Sequence, residues 1–262
     1  LLASRERRYA EMKRIRSGQE WLDGLMPEGF PTYSSTLISG PGGTGKPLIG
    51  NAFAAAWLRT GGSVVFMPLQ YPGREVVYRS LDTVNRLDVS EFQGRVAYIN
   101  LDTTIGGIEG ATDDGFKANL VLPGVWDEAI ERARSMVPEE GPGVLVFGSA
   151  LNLLLFSPTF GINVLEKMKA TIRDDKRNTY IFSVSTTAKR EAIAELEQEA
   201  DNLFMVRSVN KPFRLLFRII RLKDVAFSSD EVLVPIPEGA LAEVKTVADR
   251  NRKRVISQIA KI

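Results

Sequence analysis

Apolar residues along the chain switch repeatedly between two rhythms. Short continuous runs, TLIS (36–39), SVVFMPL (63–69), RVAYINLD (95–102), GVLVFGS (143–149) and NTYIFSVS (178–185), read as buried strands. Between them lie stretches with apolar positions three or four apart, as in Leu48, Ile49, Phe53, Ala56 and Trp57. These predict helices over 47–60, 73–86, 124–136, 160–175 and 189–200. NLFMVRSV (202–209) and FRLLFRIIRL (213–222) read as paired strands, and EVLVPI (231–236) as a last edge strand. Residues 103–117 are rich in Gly and Asp and predict a mobile loop. Strands alternating with helices predict an α/β fold. Its central sheet is mostly parallel, with helices on both faces and antiparallel strands at one edge.

Two basic segments flank this body. Residues 1–16 predict a short lead-in helix, and residues 239–262 a longer amphipathic one, leaving 17–238 as the main domain. Leu241, Val244, Ala248, Val255 and Ile259 fall near one face of the C-terminal helix, with Arg250, Arg252, Lys253 and Arg254 clustered between. A helix of this kind docks its apolar face on its own domain and leaves the charges in water. The alternative is contact with nucleic-acid phosphates, but no stacked-aromatic pattern supports single-strand binding.

Composition narrows the chemistry. The chain has no Cys and no His, so thiol chemistry, disulfides and imidazole-based catalysis or metal binding are excluded. Net charge is +2, so a nucleic-acid surface would have to be local. No uninterrupted apolar stretch is long enough to span a bilayer, and the opening residues are too charged for a signal-peptide core. A cytoplasmic location is the expectation. The chain opens on Leu1, not Met, so preceding residues are expected.

Gly40-Pro41-Gly42-Gly43-Thr44-Gly45-Lys46-Pro47 carries the clearest chemical signal. It matches the phosphate-binding pattern G-x-x-x-x-G-K at every position but the one that follows Lys. Glycines let successive N–H groups turn toward a phosphate, and a helix starting at the loop adds its positive end. Lys46 supplies a point charge. An apolar strand precedes the loop and an amphipathic helix follows, as the motif requires. Pro47 stands where a Ser or Thr hydroxyl would ligate Mg²⁺, and it also lacks an N–H. The first turn of a helix tolerates proline, so the fold survives the change.

The stretch SGQEWLDGLMPEGFPTYSSTLISGPGGTGKP resembles the opening of the KaiC-like family, the circadian clock ATPases and their archaeal and bacterial relatives. Gly18, Leu22, Asp23, Gly29 and Pro31 match the family pattern, whereas Glu28 and Tyr33 depart from it. The likeness runs over roughly 17–236, weakest at 80–140. It implies a RecA-like P-loop fold, ATP hydrolysis, and rings with nucleotide at subunit interfaces. It also says where catalysis should sit. Two glutamates are expected after the second strand, where this chain has Leu69 and Gln70. An aspartate is expected at the end of the third strand, where it has Gly148.

Pro47, Leu69, Gln70 and Gly148 therefore depart together, each in metal binding or water activation. The expectation is a pseudo-ATPase that acts as a regulatory or scaffold subunit. It would bind ATP or ADP weakly through Gly40, Gly42, Gly43, Thr44, Gly45, Lys46 and Pro47, without magnesium. A homo-oligomer, or a mixed ring with an active paralog, is implied by the resemblance. Two alternatives stand beside it. One is a working ATPase with relocated ligands, for which Glu75, Asp102, Asp113 and Asp114 are the candidates. The other is a RadA-paralog-like DNA-binding accessory protein. The family's late basic pair, which reaches the neighbouring subunit's nucleotide, corresponds to Arg221 and Lys223; the competing reading is a charged sheet edge.

Overall fold

The computed structural model describes residues 14–209 and 213–262. Its frame is a ten-stranded sheet. In chain order the strands are β3 (Ser35–Ser39), β4 (Ser63–Pro68), β5 (Val96–Leu101), β6 (Ile108–Thr112), β7 (Gly115–Ala118), β8 (Val144–Ser149), β9 (Thr179–Ser183), β10 (Asn202–Val209), β11 (Arg214–Arg221) and β12 (Val232–Leu233). They lie in the order β12-β11-β10-β3-β9-β8-β4-β5-β7-β6. All pairs from β10 through β7 are parallel. Antiparallel pairs close both ends of the sheet, β10–β11–β12 on one side and β6–β7 on the other.

The antiparallel strands expected at one edge are β10–β11–β12, and the second antiparallel pair corrects the expected loop at 103–117. β6 (IEGAT) is mostly exposed, so it shows no apolar alternation to betray it. Its partner β7 is only four residues long. Of the lead-in helix expected over 1–16, residues 1–13 lie outside the described residues. Arg14–Ile15 is a short strand, β1, pairing antiparallel with β2 (Phe30–Pro31). The edge strand expected over 231–236 shortens to Val232–Leu233.

Strand alternation splits the core into two layers. Val64 and Phe66 of β4 and Leu145 and Phe147 of β8 face one side. Val65, Met67, Val144 and Val146 face the other. On the first side lie α2 (Lys46–Arg59) and α3 (Glu75–Asn85), with α1 (Glu20–Leu25) beyond them. On the second lie α4 (Pro123–Ser135), α5 (Gly161–Asp174) and α6 (Arg190–Glu199).

α2 is buried along almost its whole length, so it carries apolar or small residues on every side. Phe53 packs against Phe30 and Phe204 with centroids 4.7 and 5.9 Å away, and Trp57 Nε1 donates to Gly143 O at 3.0 Å. This anchoring fixes the N-terminus of α2, where the phosphate loop ends. The last helix, α7 (Glu238–Ile259), crosses from one layer to the other. Leu241 and Val244 join the first core and Val255 and Ile259 the second. Arg250, Lys253 and Arg254 remain exposed, whereas Arg252 turns inward and is half-buried.

Candidate functional site

β3 delivers the chain to the loop at Gly40. A Cβ there would collide with the backbone of Val206 on the neighbouring strand, so only glycine fits. Gly45, at φ 79°, turns the chain into α2 in the left-handed region that glycine tolerates. Lys46 and Pro47 then open the helix. Proline costs nothing there, because the first-turn N–H groups have no helical acceptor.

Lys46 folds back on its own loop. Its Nζ donates to Gly40 O at 2.8 Å, to Pro41 O at 2.5 Å and to Thr44 Oγ1 at 3.1 Å. Burial, and then the nearby Arg252 guanidinium, lower its pKa from 10.5 to about 7. The Gly42 N–H donates to Thr187 Oγ1 at 2.9 Å. In this state the loop satisfies part of its own donor set with protein acceptors.

The loop floors a cavity of about 50 Å³. Gln70 after β4, Ala150 and Asn152 after β8, and Ser183 to Ser185 after β9 line it. All stand at or beyond the carboxyl ends of parallel strands, where ligands of open α/β sheets bind. The remaining wall is α7, through Val244, Lys245, Ala248, Asp249 and Arg252. Asn152 Oδ1 accepts from the Ser185 N–H at 2.9 Å, and the Ala150 N–H donates to Ser183 Oγ at 3.1 Å.

The charges on this cavity are Lys46, Lys245 and Arg252 against one carboxylate, Asp249, which already holds Arg252 at 3.0 Å. Among the described residues there is no grouping of three His, Cys, Asp or Glu side chains that could hold a metal ion. Loop amides and three cations suit an anion. Pro47 offers a divalent ion no oxygen from its side chain, so these residues do not fit the usual magnesium arrangement.

The other sequence-derived positions fall as follows. Gln70 lines the cavity, while Leu69 is buried in the core. Gly148 sits in β8, where a Cβ would come within 2.9 Å of Leu151 Cδ2 and Phe182 Cδ1. The space for an acidic side chain is taken by apolar packing. Asp102 pairs with Lys117 at 3.3 Å, and Asp114 pairs with Arg74. Neither lines the cavity, and nor do Glu75 and Asp113. Arg221 Nη2 donates to Glu197 O at 2.5 Å and Ala200 O at 2.7 Å, closing the C-terminus of α6. Lys223 Nζ pairs with Asp201 at 3.0 Å. Both late basic residues are thus engaged within their own chain. Lys245, Asp249 and Arg252 carry no motif, and only their helical spacing, three to four apart, marks them as one face.

Comparison with known proteins agrees with this architecture. A family model described as the KaiC ATPase matches residues 15–121. A UPF0273 protein of Saccharolobus solfataricus is 27% identical over 164 residues, 62% of this chain and 56% of that protein. A UPF0273 protein of Pyrobaculum aerophilum is 26% identical over 161 residues, 61% of this chain and 56% of its own length. The chain thus spans about half the length of the curated relatives it matches. Among solved structures, a KaiC-like protein of Pyrococcus horikoshii superposes with a TM-score of 0.63 at 15% identity, over 85% of this chain and 94% of that one. The flagellar accessory protein FlaH of Methanocaldococcus jannaschii superposes at 0.62 and 14% identity, with the same coverage. No described helix is long and apolar enough to cross a membrane.

Proposed function

We propose that this chain, whose residues 15–121 match the KaiC ATPase family model, is a KaiC-like P-loop protein that binds nucleotide, does not hydrolyse it efficiently and serves as a regulatory or scaffold subunit. The observation that carries the reading is the charge inventory of the loop cavity. Lysine, arginine and loop amides face it, Pro47 lacks a hydroxyl, and the strand ends present Gln70 and amide or hydroxyl groups in place of carboxylates. Such a site can hold phosphate. It cannot take a proton from water through Gln70, and loss of a general base typically costs about 10²–10⁴ in rate. Weak ATP or ADP binding with little magnesium dependence follows. A homo-oligomer, or a mixed ring with a catalytically complete paralog, is the assembly we propose.

One observation favours a second reading, a slow ATPase with relocated ligands: Asp249 of α7 is a carboxylate on the cavity wall. Phosphate release with Mg²⁺ separates the two, compared across the wild type, Lys46→Ala and Asp249→Asn. The proposed function predicts a background rate in all three. Turnover that depends on both Lys46 and Asp249 establishes the second reading instead.

A further inference from the structure

The cavity collects positive charge from two parts of the chain with nothing in common in the sequence. Lys46 comes from the phosphate loop, and Lys245 and Arg252 come from α7. Arg252 Nη1 lies 3.2 Å from the point where a Cβ would stand on Gly42, and Lys245 Cε lies 3.6 Å from the same point on Gly43. The two α7 cations therefore overlie the stretch of loop whose amides bind anions in P-loop folds.

Their placement is built, because α7 is part of both cores. Leu241, Val244, Val255 and Ile259 are buried, and Glu243 pairs with Arg79 of α3. Holding like charges around one cavity costs free energy unless an anion sits among them. The lowered affinity of Lys46 for its proton is one sign of that cost, with burial its larger cause. Asp249 offsets part of it through its 3.0 Å contact with Arg252.

Size limits what the cavity can take. Its roughly 50 Å³ is well under the ~300 Å³ at the low end of small-molecule sites. That volume matches a single tetrahedral group, so a nucleotide would place one phosphoryl group there and the rest outside.

Resting on the nucleotide-phosphate reading above, we propose that Arg252 of α7 is a ligand in cis for a phosphoryl group on the P-loop, supplying the positive charge that a metal supplies in other P-loop sites. The group is either free phosphate or the terminal phosphoryl of a nucleotide. With the second source, the terminal phosphoryl occupies the cavity and the remainder of the nucleotide extends beyond it. In either case Asp249 competes with the anion for Arg252.

The test is calorimetric titration in EDTA with inorganic phosphate, sulfate, ADP and ATP, on the wild type, Arg252→Gln and Asp249→Asn. A charge-assisted hydrogen bond is worth about 1.5–3 kcal/mol. Arg252→Gln should therefore weaken binding roughly ten- to a hundredfold, and Asp249→Asn should tighten it several-fold. Phosphate and sulfate binding that exceeds nucleotide binding identifies the free anion as the source, and the reverse identifies the nucleotide. Equal affinity of wild type and Arg252→Gln overturns the role of Arg252 while leaving the proposed function standing. Absence of binding by every ligand to the wild type overturns both. If Arg252→Gln fails to fold, Asp249→Asn decides alone, and unchanged or weakened affinity in that variant overturns the inference.

Discussion

Leu241 of α7 sits on Gly45 of the phosphate loop: a Cβ on Gly45 would come within 2.6 Å of Leu241 Cδ1. The C-terminal helix is thereby seated on the turn that leads into α2, and Gly45 is held to glycine twice over. Its φ of 79° disfavours any side chain, and the space is already filled. Gly45→Ala should lower stability by about 1–2 kcal/mol from the left-handed conformation alone, with the contact to Leu241 adding to it. A denaturant midpoint unchanged from wild type would show that α7 does not rest there.

Lys46 gives the protein a pH signature. Its pKa is lowered on folding to about 7, so between pH 7 and its ordinary value near 10.5 the unfolded chain binds more protons. Stability therefore rises with pH across that window. Burial pushes the Tyr71 and Tyr180 phenols up, which costs stability only above about pH 10, so the rise is best read between pH 7 and 9.5. Denaturant midpoints of wild type should climb over this range and those of Lys46→Met should stay flatter. Parallel curves for the two proteins would contradict the assignment.

Gly148 stands where the resemblance to the KaiC-like family implies an acid, and here Leu151 and Phe182 close the space. Gly148→Asp should therefore leave turnover at background and cost about 1–3 kcal/mol through overpacking. Phosphate release and thermal unfolding of that variant check both parts. A stable Gly148→Asp protein with restored hydrolysis would mean that the pocket is merely missing one residue.

Arg221 closes the last turn of α6 through the carbonyls of Glu197 and Ala200. Arg221→Ala should lower stability by about 1–3 kcal/mol, since it strands both acceptors. A residue that serves only a neighbouring subunit's nucleotide would instead change ligand affinity in the oligomer with no loss of monomer stability. Unfolding curves run beside nucleotide titrations distinguish the two.

Much of the frame is visible in the sequence because local physics sets it. The apolar run at 63–69 can only be a strand buried on both faces, and it is β4. The pattern around Phe53 and Trp57 gives α2 within a residue at each end. The glycine spacing of the loop likewise marks the turn that floors the cavity. What escapes is non-local. β6 and β7 are held by pairing at the sheet edge and not by any apolar rhythm of their own. The apolar face of α7 is legible in Leu241, Val244, Val255 and Ile259, but where that face docks is decided by the cores it joins. So Lys245, Asp249 and Arg252, which read as a solvated basic helix, turn out to wall the cavity. The candidates Asp102 and Asp114 lie elsewhere, tied to Lys117 and Arg74 respectively.

The proposed function rests on a phosphate site without a metal site, and ATP titration by calorimetry with and without Mg²⁺ tests it most directly. The predicted result is weak binding of similar affinity in both conditions, abolished in Lys46→Ala. Binding that tightens strongly when Mg²⁺ is added would contradict it, because Pro47 brings the ion no side-chain oxygen.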